Sequence, residues 1–174
     1  MVLPSRADAV ATLQDGDREL QRLCARLSSE QMNAPKTIGG GDWSAKDLMG
    51  HIAFWEELAA EALESLRGGR KPSVESLFAR GSEGIDEANA RNQERTAAQS
   101  LDEVGARASA AHQQIVRAIE DMSDEEWRSR VPYETERRET TAALLASVLG
   151  APKRGFGHAF AHIPDLEAYV SSRR

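Results

Sequence analysis

The chain has 174 residues, enough for one domain with a core of its own, and the reading takes residues 1–174 as that single domain. Hydrophobic residues make up 40% and charged residues 29%, and a formal net charge of −6 argues against binding nucleic acid by neutralising phosphates; the pair Arg137-Arg138 is too small a basic cluster to offset it. The single cysteine, Cys24, excludes an internal disulfide, and no apolar run approaches the length of a membrane span.

The first predicted helix carries Val10, Leu13, Leu20, Cys24 and Leu27 at spacings of three, four and seven. "LSSEQM" closes it, and Ser28 with Gln31 reads as a capping box that opens a short helical turn. "NAPKTIGGGD" follows as a loop, its three glycines a turn rather than a phosphate cradle. The second helix starts at "DWSAKDL", with Ser44 and Asp47 as a second capping box. Its apolar stripe is Leu48, Ile52, Trp55, Ala59, Ala62 and Leu66, and "RGGRKP" ends it.

Residues 73–99 read as a long crossover with helical pieces, because "IDEANARNQERTAAQ" has helix formers but a thin apolar face. A third helix begins at Ser100, capped with Glu103. It places Leu101, Ala108, Ile115 and Met122 on a seven-residue repeat. "MSDEEW" repeats the chemistry of "LSSEQM", and "TTAALLASVL" opens a fourth helical region. Gly150, Pro152, Gly155 and Gly157 interrupt that region before "HAFAHIPDLEAYV" resumes it. No alternating strand pattern competes. The fold expected is all-α, a four-helix bundle with a partly helical crossover between the second and third helices.

Two of the four histidines, His158 and His162, stand four apart, so in a helix their Cβ atoms lie about 6 Å apart on one face. Two imidazoles rarely hold a catalytic divalent ion alone, and three protein ligands with an open position are usual. The third has two candidates. His51 lies beside the stripe of Leu48, Ile52 and Trp55, whereas His112 flanks an apolar seam and is expected partly in water. The periodicity favours His51.

"GDWSAKDLMGHIAFWEE" and "HAFAHIPDLEAYV" resemble the second-helix and fourth-helix signatures of the DinB-like superfamily, and the phrases "LSSEQM" and "MSDEEW" fit the same pattern in the same order. The superfamily includes mycothiol-dependent maleylpyruvate isomerase-like, bacillithiol transferase-like and colibactin self-protection branches. The resemblance implies an up-down-down-up bundle. It implies a divalent metal, variously zinc, nickel, iron or manganese, held by three histidines. These match His51, His158 and His162 here. The chain departs from the pattern in carrying Ala161 where many relatives have glutamate. Pro164 removes a backbone donor just after His162, so the last helix is expected either to kink or to restart at Asp165.

Three neutral imidazoles would leave such a metal its full charge, which favours activating a water or holding a thiolate. Hydrolysis and transfer of a low-molecular-weight thiol are both open, on a small-molecule substrate. The His-Glu-x-x-His base of metallopeptidases is missing, because Ala159 follows His158. The catalytic group is otherwise unassigned. Asp47 and Asp165 are the candidates to orient ligand rings, with helix capping as the competing role of each. Trp43, Trp55 and Trp127 read as core anchors, Cys24 as a small buried hydrophobe and Tyr169 as a core or rim residue. Asn89 and Asn92 are noted only as candidate residues of a pocket mouth.

Two alternatives stand beside the enzyme: a bundle that sequesters a small compound without turnover, and a structural protein whose histidines are satisfied by hydrogen bonds. No nucleic-acid or membrane partner is expected, and a homodimer is compatible with the resemblance. "MVLPSRADAV" shows no secretory signal, so the cytoplasm is the expected compartment.

Overall fold

Helix starts in this chain are written in one chemistry. Ser5, Ser28, Ser44, Ser100, Ser123 and Thr140 each accept, through the side-chain hydroxyl, the N–H of the residue three positions on. At Ser28, Ser44 and Ser100 the partner returns the bond through Gln31, Asp47 and Glu103, completing the capping boxes expected from the sequence. Each cap is worth about 1 kcal/mol.

The structure, a computed structural model, describes residues 3–39, 41–135, 138–151 and 154–173. Gly40, Arg137 and Pro152 of the sequence reading lie outside them. Among the described residues it contains the helices α1 (Arg6–Cys24), α2 (Ser29–Asn33), α3 (Ala45–Arg67), α4 (Ser73–Ala79), α5 (Gly81–Ala97), α6 (Leu101–Glu120), α7 (Asp124–Arg128), α8 (Thr141–Val148) and α9 (His158–Ser171). No strand accompanies them there, and no helix is long and apolar enough to cross a membrane. The architecture is an all-α bundle.

The long helix α3 is central. It packs against α5, α6, α8 and α9, while α1 lies against α6 and α9. The crossover is more regular than its thin apolar face suggested, with α4 and α5 covering most of it. Burial of Val74, Ala88, Asn92 and Thr96 explains this, since a narrow stripe of small side chains is enough where α5 lies close on α3. At the contact, Gly50 carries no side chain opposite Thr96, and its carbonyl accepts from the Asn92 amide at 3.2 Å.

Two apolar clusters form the interior. One gathers Trp55, Leu63, Ile115, Ile119, Trp127, Leu144, Leu145 and Phe156. The other gathers Leu23, Ile38, Leu48, Leu166, Tyr169 and Val170. Leu48 and Trp55 on α3 belong to different clusters, and His51 stands between them. The seam between the clusters is therefore where α3 offers a polar group to the interior.

Candidate metal centre

His51 is placed by α3 and is 4% exposed. His158 and His162 come from the first turns of α9, whose start is set by an unusual backbone. Phe156 adopts φ 61°, a left-handed conformation that costs a non-glycine residue about 1–2 kcal/mol. Its ring offsets the strain: it is 1% exposed and stacks on Trp127 at 5.6 Å. The His158 N–H then donates to the Leu149 carbonyl at 3.0 Å, pinning the first residue of α9 to the end of α8. Pro164 lies inside α9, which runs through it without restarting, so the two histidines share one helix face.

The three rings converge. Nε2 of His51 and Nε2 of His158 are 3.0 Å apart. Ring centroids stand 4.9 Å apart for His51 and His158, 5.0 Å for His51 and His162, and 5.2 Å for His158 and His162. One nitrogen from each ring falls within 4.8 Å of the other two. Two nitrogens bound at about 2.0–2.1 Å to one tetrahedral ion stand roughly 3.3–3.4 Å apart, so the donor set fits an ion of that kind with small ring movements.

Electrostatics point the same way. Burial lowers His51 to about 2, with His158 and His162 adding to the effect, and the neighbouring Asn89 amide opposing it. Burial lowers His158 to about 3, again with His162 contributing. His162 is also lowered by burial, against the pull of the Asp165 carboxylate. The rings are neutral and offer lone pairs. Nδ1 of His51 and Nδ1 of His158 are buried without protein partners. A single proton can bridge two of the three nitrogens, whereas one metal ion can accept a lone pair from all three.

The other sequence candidates fall out differently. Asp47 accepts from the Ser44 backbone N–H at 2.9 Å and from the Ser44 hydroxyl at 2.7 Å. It is a helix cap and does not reach the free nitrogen of His51. Asp165 acts on His162 through its charge, and its Oδ2 lies close to the turn at Gly39. His112 is partly exposed, as expected, but its ring also contacts Glu56, Nδ1 to Oε1 at 2.9 Å, and it is not part of the cluster. Periodicity along α6 alone does not register a buried acid on the facing helix. Cys24 is half-buried, and burial pushes its thiol up to about 11, which disfavours the thiolate at neutral pH. Tyr169 is buried and donates to the Gln31 carbonyl at 2.9 Å. Trp55 and Trp127 are buried core anchors.

Trp43 is a correction. It is only partly buried: it packs on the edge of the second apolar cluster, and the turn that carries it, closed by N–H groups of Thr37 and Ile38 donating to the Trp43 carbonyl, holds its ring over the histidines. Its centroid is 4.7 Å from His51 and 6.4 Å from His162. Trp55 closes another side, 5.8 Å from His158, and its indole N–H donates to Asn89 Oδ1 at 3.2 Å. That bond fixes which way the Asn89 amide faces, so α5 delivers an oriented polar group beside the cluster. Asn89 was visible in the sequence as a polar residue of the crossover, but nothing in its spacing marked it.

Comparison with known proteins bears on this site. The sequence model of the DinB superfamily matches residues 12–162, a span that includes all three clustered histidines. No curated protein matches the chain. A crystal structure of an uncharacterised protein from Escherichia coli UTI89 superposes with a TM-score of 0.76 at 15% identity, over 98% of this chain and 96% of that one. At that identity the likeness concerns the fold alone.

Proposed function

The chain belongs to the DinB superfamily, and from that premise we propose that it is a metal-dependent enzyme acting on a small molecule, by hydrolysis or by transfer of a low-molecular-weight thiol. The observation that carries the proposal is the convergence of three neutral imidazoles, from α3 and α9, with one nitrogen of each inside a 4.8 Å group. His51, His158 and His162 would hold a divalent transition metal, zinc or nickel foremost, with iron and manganese compatible with the same donors. When bound, such an ion supplies Lewis acidity at a coordination position the protein leaves open.

The chain's own residues do the rest. The rings of Trp43 and Trp55 wall the cluster and keep bulk water from two of its sides. With its oxygen engaged by Trp55, Asn89 presents its amide N–H groups as donors for an oxygen of the substrate. The negative charge of Asp165 acts on the His162 ring and would add to its attraction for a bound cation.

The test has two arms. Protein purified without a nickel column is analysed for transition metals, and about one equivalent is expected; less than about a tenth would favour histidines that serve structure alone. The loaded protein is then offered mycothiol, bacillithiol and glutathione with an electrophilic acceptor, and a panel of small esters and amides. Multiple turnovers support the enzyme, whereas a single stoichiometric burst would mean capture without catalysis.

A further inference from the structure

Nε2 of His158 faces His51, and the other ring nitrogen, Nδ1, is buried without a protein partner. Ligating imidazoles usually pass that second N–H to a carboxylate, a carbonyl or a water, which fixes the tautomer and raises the basicity of the ligating nitrogen. Asp47 is committed to Ser44. A different pair of acids shares a cavity with His158. His158 lines a narrow, largely apolar cavity together with Asp17 of α1, which is partly exposed, Trp55 and Glu56 of α3, and Phe156. The space open to the centre of a water there is about 10 Å³, the size of one molecule.

A buried water needs two to four polar partners. This lining offers the His158 ring and the carboxylates of Asp17 and Glu56. Glu56 is 5% exposed, an unusual position for an acid. One of its oxygens, Oε1, is taken by Nδ1 of His112 at 2.9 Å, which leaves Oε2 for a second donor. Nε2 of the same His112 ring lies 3.9 Å from Asp17 Oδ2, so the ring stands between acids from two helices.

We propose that one water in this cavity carries the hydrogen bond from His158 Nδ1–H to Glu56 and Asp17, making this carboxylate pair the positioning group of a metal ligand. His112, on α6, holds the pair in place from behind. The arrangement links α1, α3 and α6 to the ligand face of α9. It rests on the reading of the three histidines as metal ligands and adds to it the residues that orient one of them.

The test uses the full chain with Zn²⁺ as probe. Zinc affinity is measured by competition with a chromophoric chelator for the unmodified chain and for Asp17→Asn, Glu56→Gln and the double variant. Melting of the metal-free proteins checks that the amides, nearly the same shape as the acids, leave the fold intact. The double variant is expected to bind zinc about 10–100-fold more weakly. In ¹⁵N-histidine spectra of the zinc-loaded unmodified chain, His158 is expected to show a slowly exchanging Nδ1–H with a cross-peak to water. A folded double variant whose affinity stays within about twofold overturns the proposal. So does an unmodified chain lacking that N–H signal, even should the variants fail to fold. Failure of the unmodified chain to bind zinc would overturn the metal reading itself, an outcome distinct from normal binding with indifferent variants.

Discussion

His51 and His158, 107 positions apart in the chain, meet Nε2 to Nε2 at 3.0 Å with their ring planes at 89°. At that distance one neutral ring can donate its N–H to the other, or both can turn lone pairs toward a shared cation. His162 brings a third nitrogen to the same place. Replacing His51 with alanine is expected to lower zinc content from about one equivalent to below about a tenth, because two ligands from one helix face do not hold the ion. Cys24→Ala, remote in chemistry from the cluster, is expected to keep the full complement. Elemental analysis of both variants after dialysis decides, and a His51→Ala variant that retains its metal would remove α3 from the site.

Asp47 gives a contrasting expectation. Its carboxylate closes the capping box with Ser44. Asp47→Ala should lower the unfolding free energy by about 1 kcal/mol, read from urea denaturation. Zinc affinity should move by no more than about threefold, well short of the loss expected for an acid that orients a ligand. A larger fall in affinity without a fall in stability would return Asp47 to the site.

Gly50, next to His51, lies where α5 packs closely on α3. A Cβ there would stand 2.7 Å from Cγ2 of Thr96, a side chain with no exposed surface. Alanine gains up to about 1 kcal/mol in helix propensity, but overpacking costs about 1–3 kcal/mol. Gly50→Ala is therefore expected to destabilise by about 1–2 kcal/mol on balance. Shortening the neighbour should relieve it: in a Thr96→Ala background the same change should cost at least about 1 kcal/mol less. Additive effects in the double-mutant cycle would mean that the two helices do not constrain each other here.

Glu75 supplies the pH prediction. It is 5% exposed and accepts from Arg138 through Nε and Nη2, both at 2.9 Å, and from the Tyr133 hydroxyl at 3.3 Å. The Arg138 guanidinium holds its carboxyl below the ordinary 4.5, against the opposing effect of burial. A lowered carboxylate value means that the unfolded chain takes up the proton first. The stabilisation is present above the unfolded value and is lost as pH falls through the folded one. Glu75→Gln should thus cost about 2 kcal/mol near pH 7. The gap between the two proteins should close progressively on acidification below 4.5. A gap of constant size in denaturation curves taken across that range would refute the assignment. Arg138 also lies 4.6 Å over Phe78, which stacks on Trp55 at 6.5 Å, so the same variant reports on how the crossover is held against the site.

Much of this was legible before any coordinates, for a definite reason. A capping box is a contract between residues three apart, and Ser28, Ser44 and Ser100 keep it because both partners lie within one turn. The same locality put His158 and His162 on one face, and the stripe of α3 turned His51 inward. The resemblance added the expectation that these rings meet.

What the sequence by itself determined was thus set within a turn or two of helix: the capped starts of α2, α3 and α6, which face of α3 is apolar, and which two histidines are neighbours. Tertiary structure alone decided that Trp43 covers the histidines as well as packing on the core, that Asn89 arrives beside them on the Trp55 indole, and that His112 turns to Glu56. Those outcomes depend on how far one helix is rotated and how closely another approaches, quantities fixed by packing between segments distant in the chain. Periodicity states which way a side chain leaves its own helix; only the assembled bundle supplies what it meets there.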